Sequence, residues 1–224
     1  MKPRNFKTGV LFSGGKDSCL ALHKAIESGK KIDCLLSMLP EHEDSFMFHS
    51  PDLKLLKKQA KELGIKLIMQ KTKGEKEKEL CDLKKLIKKA KVDKIVIGGL
   101  ASNYQASRIN KICSELGVKV LAPLWNYSAE QLWGELLNNG FKVIITKIAS
   151  EGIRKEFIGK VIDSDLLFEL RKRAEKYKFR LDFEGGDAET AVLFMPEFKN
   201  EIRLKYNIKS EGNYRHFLRV KDIK

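Results

Sequence analysis

The 224-residue chain has little of what stabilises small secreted proteins or forms membrane spans. It contains four cysteines and no Cys-x-x-Cys spacing, which argues against a zinc ribbon or a thiol-pair redox site. No apolar run approaches the roughly 18 residues of a membrane span, and the first residues lack the apolar core of a signal peptide. We therefore expect a cytoplasmic protein with no membrane partner, whose reduced thiols are structural.

Acidic residues are outnumbered, because 44 Lys and Arg stand against 30 Asp and Glu, a formal net charge of +14. A basic surface attracts nucleic acid or acidic proteins. Heavy use of Lys and Glu also gives an ordinary solvated surface. The lysines are dispersed over predicted helix faces without interleaved aromatic residues, as in Lys84, Lys85 and Lys88. We favour the solvated surface, so no nucleic-acid partner is required.

Strand-like and helix-like segments alternate through the first 122 residues. Apolar strand patterns occur at 10–12, 32–38, 67–70 and 94–97, and apolar positions at helical spacing follow each of them. This alternation predicts an α/β fold with a doubly wound parallel sheet. Ligands of such sheets bind beyond the carboxyl ends of the strands, so the loops after Phe12, Met38 and Ile97 share one edge.

The pattern changes after Pro123. Ser128 is a candidate cap for a helix, a strand follows at 141–146, and a second helix covers 167–177. The tail alternates like a β-hairpin around a turn at 211–213. We place a domain boundary near residue 122, which gives domains 1–122 and 123–224, the second a smaller α+β domain.

A glycine-rich hexapeptide follows the first predicted strand and precedes a helical pattern. It reads Ser13, Gly14, Gly15, Lys16, Asp17, Ser18. Glycines let the backbone turn tightly, and the free N–H groups at a helix start attract anions, phosphate above all. Lys16 adds positive charge, and Asp17 offers a Mg²⁺ ligand or a helix cap. The spacing is not that of a Walker-type loop.

The hexapeptide resembles the PP-loop, the pyrophosphate loop of the N-type ATP pyrophosphatases, which belong to the HUP-like adenine-nucleotide α-hydrolase superfamily. The resemblance implies ATP and Mg²⁺ as cofactors, adenylation of a substrate oxygen, and release of AMP and pyrophosphate. Residues 13–18 would hold the leaving pyrophosphate. Lys16 and Asp17 would be the catalytic residues, with Asp17 also the metal ligand. Domain 1–122 would bind the nucleotide and domain 123–224 the substrate.

A second glycine-rich string precedes the apolar run 191–195. It reads Glu184, Gly185, Gly186, Asp187, Ala188, Glu189, Thr190. Paired glycines permit close approach of a ligand, and the carboxylates suit a cation or Mg²⁺. An exposed glycine turn with solvated acids is the alternative. Two adjacent glycines flanked by three carboxylates and a Thr do not fit a simple core strand.

The two strings together resemble the diphthine–ammonia ligase (diphthamide synthase) family. Further matching segments are 98–105, Arg108, Cys113, 122–125 and 140–141, so the resemblance extends to about residue 198. One departure is visible, because the family usually carries Glu where this chain has Asp187. The side chain there is one methylene shorter, so roles in the family carry over more directly to Glu184, Glu189 and Thr190.

The resemblance implies an ATP-dependent carboxylate–ammonia ligase. Its substrate would be diphthine, a histidine of translation elongation factor two that carries a trimethylammonium-bearing carboxypropyl arm. The diphthine carboxylate would attack the α phosphate of ATP, and ammonia would then displace AMP from the acyl-adenylate to give diphthamide. Lys2 stands where glutamine-dependent ligases often carry a nucleophilic Cys, which makes free ammonium the simpler donor.

We expect the adenosine of ATP near Met38 and the Gly98-Gly99 turn, at the shared edge of the sheet. Substrate contacts are expected from the helix after that turn and from the second string, namely Asn103, Tyr104, Arg108, Glu184, Gly185, Gly186, Glu189 and Thr190. Helix capping and surface charge would also explain the first three. The acidic string suits the fixed cation of diphthine or incoming ammonium. In segment 40–51, solvated side chains or a lid explain His42 and His49 better than a metal cluster does.

Two other functions compete with this interpretation. A tRNA-modifying ATP pyrophosphatase would suit the basic charge, but thiolation needs a thiol pair or a metal cluster that the cysteine spacing does not supply. A non-catalytic ATP-binding protein would not need both Lys16 and Asp17. The sequence leaves the oligomeric state open, a homodimer included.

Overall fold

The computed structural model describes residues 6–40, 52–73, 76–98 and 103–224, without the side chains of 76, 77 and 103–106. In chain order the elements are β1 (Thr8–Leu11), α1 (Lys16–Glu27), β2 (Cys34–Pro40), α2 (Leu53–Leu63), β3 (Lys66–Thr72), α3 (Lys76–Ala90), β4 (Lys94–Val96), α4 (Asn103–Glu115), β5 (Lys119–Leu121), α5 (Ala129–Asn138), β6 (Lys142–Ile148), a 3-10 turn (Lys155–Phe157), α6 (Ser164–Tyr177), β7 (Ala188–Phe194), β8 (Leu204–Glu211) and β9 (Arg215–Ile223).

The described residues divide into two units. The first is drawn from Met1–Ser13, Asp17–Pro51 and Gly64–Trp125. The second is drawn from Gly14–Lys16, Asp52–Leu63 and Asn126–Lys224. Helix α2 and three residues of the first glycine-rich string therefore belong with the C-terminal part of the chain. The sequence pattern did not predict that these two segments would group with the C-terminal part.

A parallel sheet of five strands organises the first unit, in the order β3-β2-β1-β4-β5. The strand order reverses beside β1, and a reversal of this kind is where doubly wound sheets bind their ligands. The predicted doubly wound α/β fold is thus confirmed. Strand β5 is an addition to the prediction. Its three residues, which pair in parallel with β4, are too few to form a recognisable apolar run.

The central strands β1, β2 and β4 are largely buried, which explains why they are continuous apolar runs. Leu35, Leu36 and Ile95 are fully buried in the sheet, and side chains of α3 and α4 pack against it. Burial raises the pKa of Cys113 to about 11, so that thiol stays protonated. Cys19, Cys34 and Cys113 are buried and Cys81 is exposed, which fits the expected structural thiols.

An antiparallel sheet organises the second unit, in the order β7-β6-β9-β8. Ser128 caps α5 as expected and forms a capping box with Gln131. Trp133 of α5 is fully buried, and its Nε1 donates to the Leu181 carbonyl at 2.9 Å. The predicted α+β character and the tail hairpin are confirmed. No helix within the described ranges has the length and apolar character that crossing a membrane requires.

Helix α2 is anchored within the second unit by a buried carboxylate. Glu62 is 4% exposed, and its Oε1 lies 3.0 Å from the Lys58 ammonium. Its Oε2 accepts hydrogen bonds from the backbone N–H of Asn200 at 3.0 Å and from the Asn200 amide at 3.2 Å. The end of the helix is therefore tied to the loop that precedes β8.

We expect Glu62→Gln to lower the free energy of unfolding by about 1–2 kcal/mol at pH 7, measured by urea unfolding. Hydrogen bonds from Lys58 and Asn200 hold the pKa of Glu62 below its ordinary value of 4.5, so the ionised carboxylate stabilises the folded chain. That contribution is complete above pH 4.5 and disappears as the pH falls through the lowered pKa. A difference between variant and wild type that stayed constant well below pH 4.5 would contradict this role.

Candidate functional site

The first glycine-rich string lies along the outer edge of strand β7. The Val192 N–H donates to the Gly14 carbonyl at 3.0 Å. Two residues away on each segment, the Lys16 N–H donates to Thr190 Oγ1 at 3.2 Å. One backbone hydrogen bond and one backbone-to-side-chain hydrogen bond thus attach Gly14–Lys16 to β7, and the two strings that the sequence singled out meet there within the second unit.

Gln59 of α2 completes this attachment. Its side-chain nitrogen donates one hydrogen bond to the Gly14 carbonyl and another to the Val192 carbonyl, each of 2.8 Å. The residue is 1% exposed, so water does not compete for these contacts. Sequence reasoning missed Gln59. The available signal was a polar residue on the apolar face of the helix, between Leu56 and Ala60.

Glycine is required at position 14 for two separate reasons. Its φ is +77°, a backbone conformation that L-residues with a side chain rarely adopt. A Cβ there would also lie 2.0 Å from the Gln59 side-chain oxygen. The first glycine of the string therefore serves the turn and the close packing of Gln59.

Lys16 is held in a largely buried environment. It is 3% exposed, and its ammonium lies 5.7 Å from the centre of the Phe183 ring. Phe183 adopts a φ of +60°, unusual for an aromatic residue. Trp133, edge-on at 5.9 Å, and Phe179, stacked at 6.4 Å, keep its ring in place. The electron-rich ring face thus stabilises the Lys16 charge.

A carboxylate adds to this environment. Burial of Asp182 raises its pKa, but other effects outweigh burial and leave the pKa below its ordinary value. These effects are hydrogen bonds from Arg180 and from the Glu184 N–H, followed by the positive charges of Arg180 and Lys16. Asp182 therefore stays ionised and contributes negative charge near the Lys16 ammonium.

The remaining residues of the second string differ in their surroundings. Glu184, Gly185 and Gly186 are exposed. The Asp187 side chain accepts a hydrogen bond from the Arg180 N–H at 3.3 Å. Glu189 faces Lys147 across β6 and β7, and the two charged groups lie 2.8 Å apart.

The expectation that this string is not a simple core strand holds only as far as Asp187. Strand β7 begins at Ala188, so Ala188, Glu189 and Thr190 are paired with β6. The turn ends at Asp187. The acidic residues hid the start of the strand, because Glu189 is neutralised by its cross-strand partner Lys147.

The other residues predicted to bind the nucleotide lie in the first unit. The hydroxyls of Ser13 and Ser18 are 3.2 Å apart, and Asp17 is half-buried in the first turn of α1. Gly98 follows β4, and a Cβ there would lie 2.8 Å from the backbone of Asp17 and of Ser18. A side chain at position 98 would therefore push against the start of α1.

Two more predicted residues, Met38 and Arg108, are described by the structure with less decisive surroundings. Met38 is 4% exposed and packs in the hydrophobic core, so its side chain offers little surface to a ligand. Arg108 is half-buried on α4. Gly99, with His42 and His49, lies outside the described residues, as do the side chains of Asn103 and Tyr104.

Across the described ranges no group of three or more His, Cys, Asp or Glu is placed to hold a metal ion. A cation held by protein ligands alone therefore does not fit these residues. Mg²⁺ in nucleotide sites is usually held by one or two carboxylates together with substrate phosphates. The single carboxylate of Asp17 fits that arrangement.

Comparison with models of known protein families shows which family this chain belongs to. Residues 6–120 match the family model described as "Diphthamide synthase N-terminal domain". Residues 128–224 match "Diphthamide synthase C-terminal domain". The chain belongs to the diphthamide synthase family. It is an enzyme of the ligase class, as the family resemblance predicted.

Curated relatives agree with this assignment. The diphthine–ammonia ligase of Homo sapiens is 31% identical, over 88% of this chain and 82% of its own length. The ligase of Schizosaccharomyces pombe is 31% identical, over 87% of this chain but 35% of its own length. A solved structure described as a "predicted subunit of tRNA methyltransferase" from Methanocaldococcus jannaschii aligns with 88% of this chain and 99% of its own, at 18% identity and a TM-score of 0.44.

The structure predicts unequal costs for substitutions at two glycines that share the same φ. Gly14 and Gly29 both have a φ of +77°, but a Cβ at Gly29 meets nothing within 4 Å. We expect Gly29→Ala to cost about 1 kcal/mol of unfolding free energy, from backbone strain alone. Gly14→Ala should cost at least about 2 kcal/mol more, because it also displaces the buried Gln59 amide. Equal losses in urea unfolding would show that the Gln59 contact contributes nothing.

Proposed function

We propose that this diphthamide synthase family member is an ATP-dependent diphthine–ammonia ligase that acts on translation elongation factor two. The diphthine carboxylate displaces pyrophosphate from the α phosphate of ATP and forms an acyl-adenylate. Ammonia, formed from ammonium by loss of a proton, then attacks the acyl carbon and displaces AMP. The products are diphthamide, AMP and pyrophosphate. The enzyme acts in the cytoplasm, where the elongation factor works.

The contact between the Lys16 N–H and Thr190 carries this proposal. It joins the glycine-rich string that resembles a pyrophosphate loop to the string that distinguishes this family from other ATP pyrophosphatases. The first of these strings is common to enzymes that adenylate different substrates. The joining of the two supports placing the family-specific chemistry of residues 184–190 at the Lys16 end of the loop.

Residues 13–18 bind the β and γ phosphates in this proposal. The helix start supplies N–H groups, and Lys16 neutralises charge that grows on the leaving pyrophosphate. Asp17 holds Mg²⁺, which offsets phosphate charge when bound. The adenosine lies near Met38 and the 98–99 turn. The protein thus contributes position and electrostatic stabilisation, while ATP supplies the leaving group.

Glu184 is our first choice for recognising the substrate cation. Its side chain is exposed on the turn that precedes β7, where a substrate cation can reach it. Gly185 and Gly186 allow the substrate arm to approach the backbone closely. Asn103, Tyr104 and Arg108 remain proposed contacts at the start of α4.

The two family matches support a nucleotide-binding domain over 1–122 and a substrate-binding domain over 123–224. Segments Gly14–Lys16 and Asp52–Leu63 nevertheless belong to the unit built from the C-terminal part. We propose that the second domain also supports the pyrophosphate loop.

The proposal is tested with purified chain, ATP, Mg²⁺ and ammonium. Adding elongation factor two that bears diphthine should start formation of AMP and amide in equal amounts, followed by mass spectrometry of the modified histidine. Unmodified elongation factor is the matched control and should support neither product. Stimulation of AMP formation by bulk tRNA instead would favour a tRNA-modifying enzyme. ATP binding without pyrophosphate release under either condition would favour a non-catalytic ATP-binding protein.

Lys16→Ala and Asp17→Ala should each lower the rate of AMP formation by at least about a hundredfold, because each removes a charged group proposed to act on the phosphates. Lys88→Ala removes the same charge as Lys16→Ala from an exposed position on α3 and should leave the rate unchanged. Near-native rates in both loop variants would refute the proposed anchoring role.

A further inference from the structure

We propose that Gln59 is a positioning residue for the pyrophosphate loop and thereby sets the affinity of the loop for pyrophosphate. The part that concerns the ligand rests on the proposed function. The part that concerns the loop conformation rests on the geometry alone. Gln59 does not touch the phosphates in this proposal. It acts through the Gly14 carbonyl.

The hydrogen bonds around Gln59 close a ring. The Gly14 carbonyl accepts from both Val192 N–H and the Gln59 amide, and the Gln59 amide donates its second proton to the Val192 carbonyl. The outward-facing N–H and C=O of Val192 are thus both satisfied on the edge of β7. Gln59 is only 1% exposed, and loss of its amide takes one of two hydrogen bonds from the Gly14 carbonyl and the Gln59 hydrogen bond from the Val192 carbonyl.

This ring fixes one end of a three-residue segment whose other end is fixed by Thr190. Between the Gly14 carbonyl and the Lys16 N–H lie only Gly15 and the peptide groups that lead into α1. Two glycines have little conformational preference of their own. The anchors at positions 14 and 16 therefore decide where the N–H groups at the helix start point. A loop fixed before the ligand arrives loses less entropy on binding.

Only a side chain that donates two hydrogen bonds fits between the two carbonyl oxygens. A glutamate has nearly the same shape, but its ionised form would place negative oxygen against both carbonyls. Burial then raises the pKa of that carboxyl, and the neutral acid donates one of the two bonds. Gln59→Glu therefore turns the anchor into one that improves as the pH falls.

A matched control lies one helical turn away. Glu62 is on the same helix, is buried to a similar degree and also binds a backbone group, but its partner is Asn200 rather than the loop. Glu62→Gln should therefore cost stability without changing the loop. A side chain on α2 that merely supports the fold would behave like Glu62.

The test compares Gln59→Glu, Gln59→Met and Glu62→Gln with the wild type. Isothermal titration measures the Kd for inorganic pyrophosphate at pH 8 and pH 5.5, each variant against wild type at the same pH. Hydrogen–deuterium exchange of the ligand-free chain measures protection of the backbone N–H groups at 14–16. Thermal unfolding at both pH values establishes that the folded variants are being compared.

At pH 8 we expect Gln59→Glu and Gln59→Met to raise the Kd at least about tenfold and to speed exchange at 14–16 at least about tenfold. At pH 5.5 Gln59→Glu should recover part of both losses, while Gln59→Met should not. Glu62→Gln should stay within about twofold of wild type in both measurements.

Two results would overturn the inference. If the Gln59 variants lose thermal stability but keep wild-type hydrogen–deuterium exchange at 14–16, Gln59 stabilises the fold without positioning the loop. The same conclusion would follow if Gln59→Glu and Gln59→Met responded identically to pH. Failure of the wild type to bind pyrophosphate would instead refute the proposed function, and the exchange comparison would still decide whether Gln59 positions the loop.

Discussion

A glycine loop has little conformational preference of its own, so contacts from elsewhere must hold it in place, and in this chain strand β7 and helix α2 provide those contacts. Buried backbone N–H and C=O groups are costly when unpaired. The Gly14 carbonyl is satisfied by Val192 and Gln59, and the Lys16 N–H by Thr190. The φ of Gly14, the identity of Gln59 and the position of α2 all follow from this attachment. An edge strand would otherwise expose the same groups to another chain.

Electrostatics around Lys16 follow from its position beside β7. A buried ammonium is unfavourable unless it has compensating partners. The Phe183 ring and the ionised Asp182 provide such partners on one side. Phe183 accepts an unfavourable backbone conformation in doing so, which the packing of Trp133 and Phe179 sustains. Residues with a strained backbone conformation of this kind cluster at functional sites. The lysine is thereby oriented at the cost of local strain, in a surrounding less polar than water.

Much of the fold was readable from the sequence because its signals are local. The alternation of apolar runs with apolar positions at helical spacing predicted four of the five parallel strands, and Ser128, as a candidate N-cap, predicted the start of α5. The three residues of β5 are too few to give a comparable signal. The start of β7 could not be predicted because Glu189 is charged, and its partner Lys147 on β6 is identified only by the structure. Gln59 was unpredictable in its role, since its partners are 45 and 133 residues away in sequence. A single polar residue on an apolar helix face indicates that some buried partner exists without naming it.

The attachment to β7 also changes how the family-specific string is understood. From sequence, residues 184–190 read as an acidic site for a cation. In the structure they divide at Asp187 into an exposed turn and the first residues of a strand, and Thr190 in the strand part binds the backbone of Lys16. A Thr hydroxyl both donates and accepts, so accepting the Lys16 N–H leaves the Thr190 hydroxyl proton able to donate to another group. Beside the Val192 and Gln59 bonds to Gly14, Thr190 thus joins the two glycine-rich strings through a hydroxyl rather than a charge, which no charge-based interpretation of the second string would suggest.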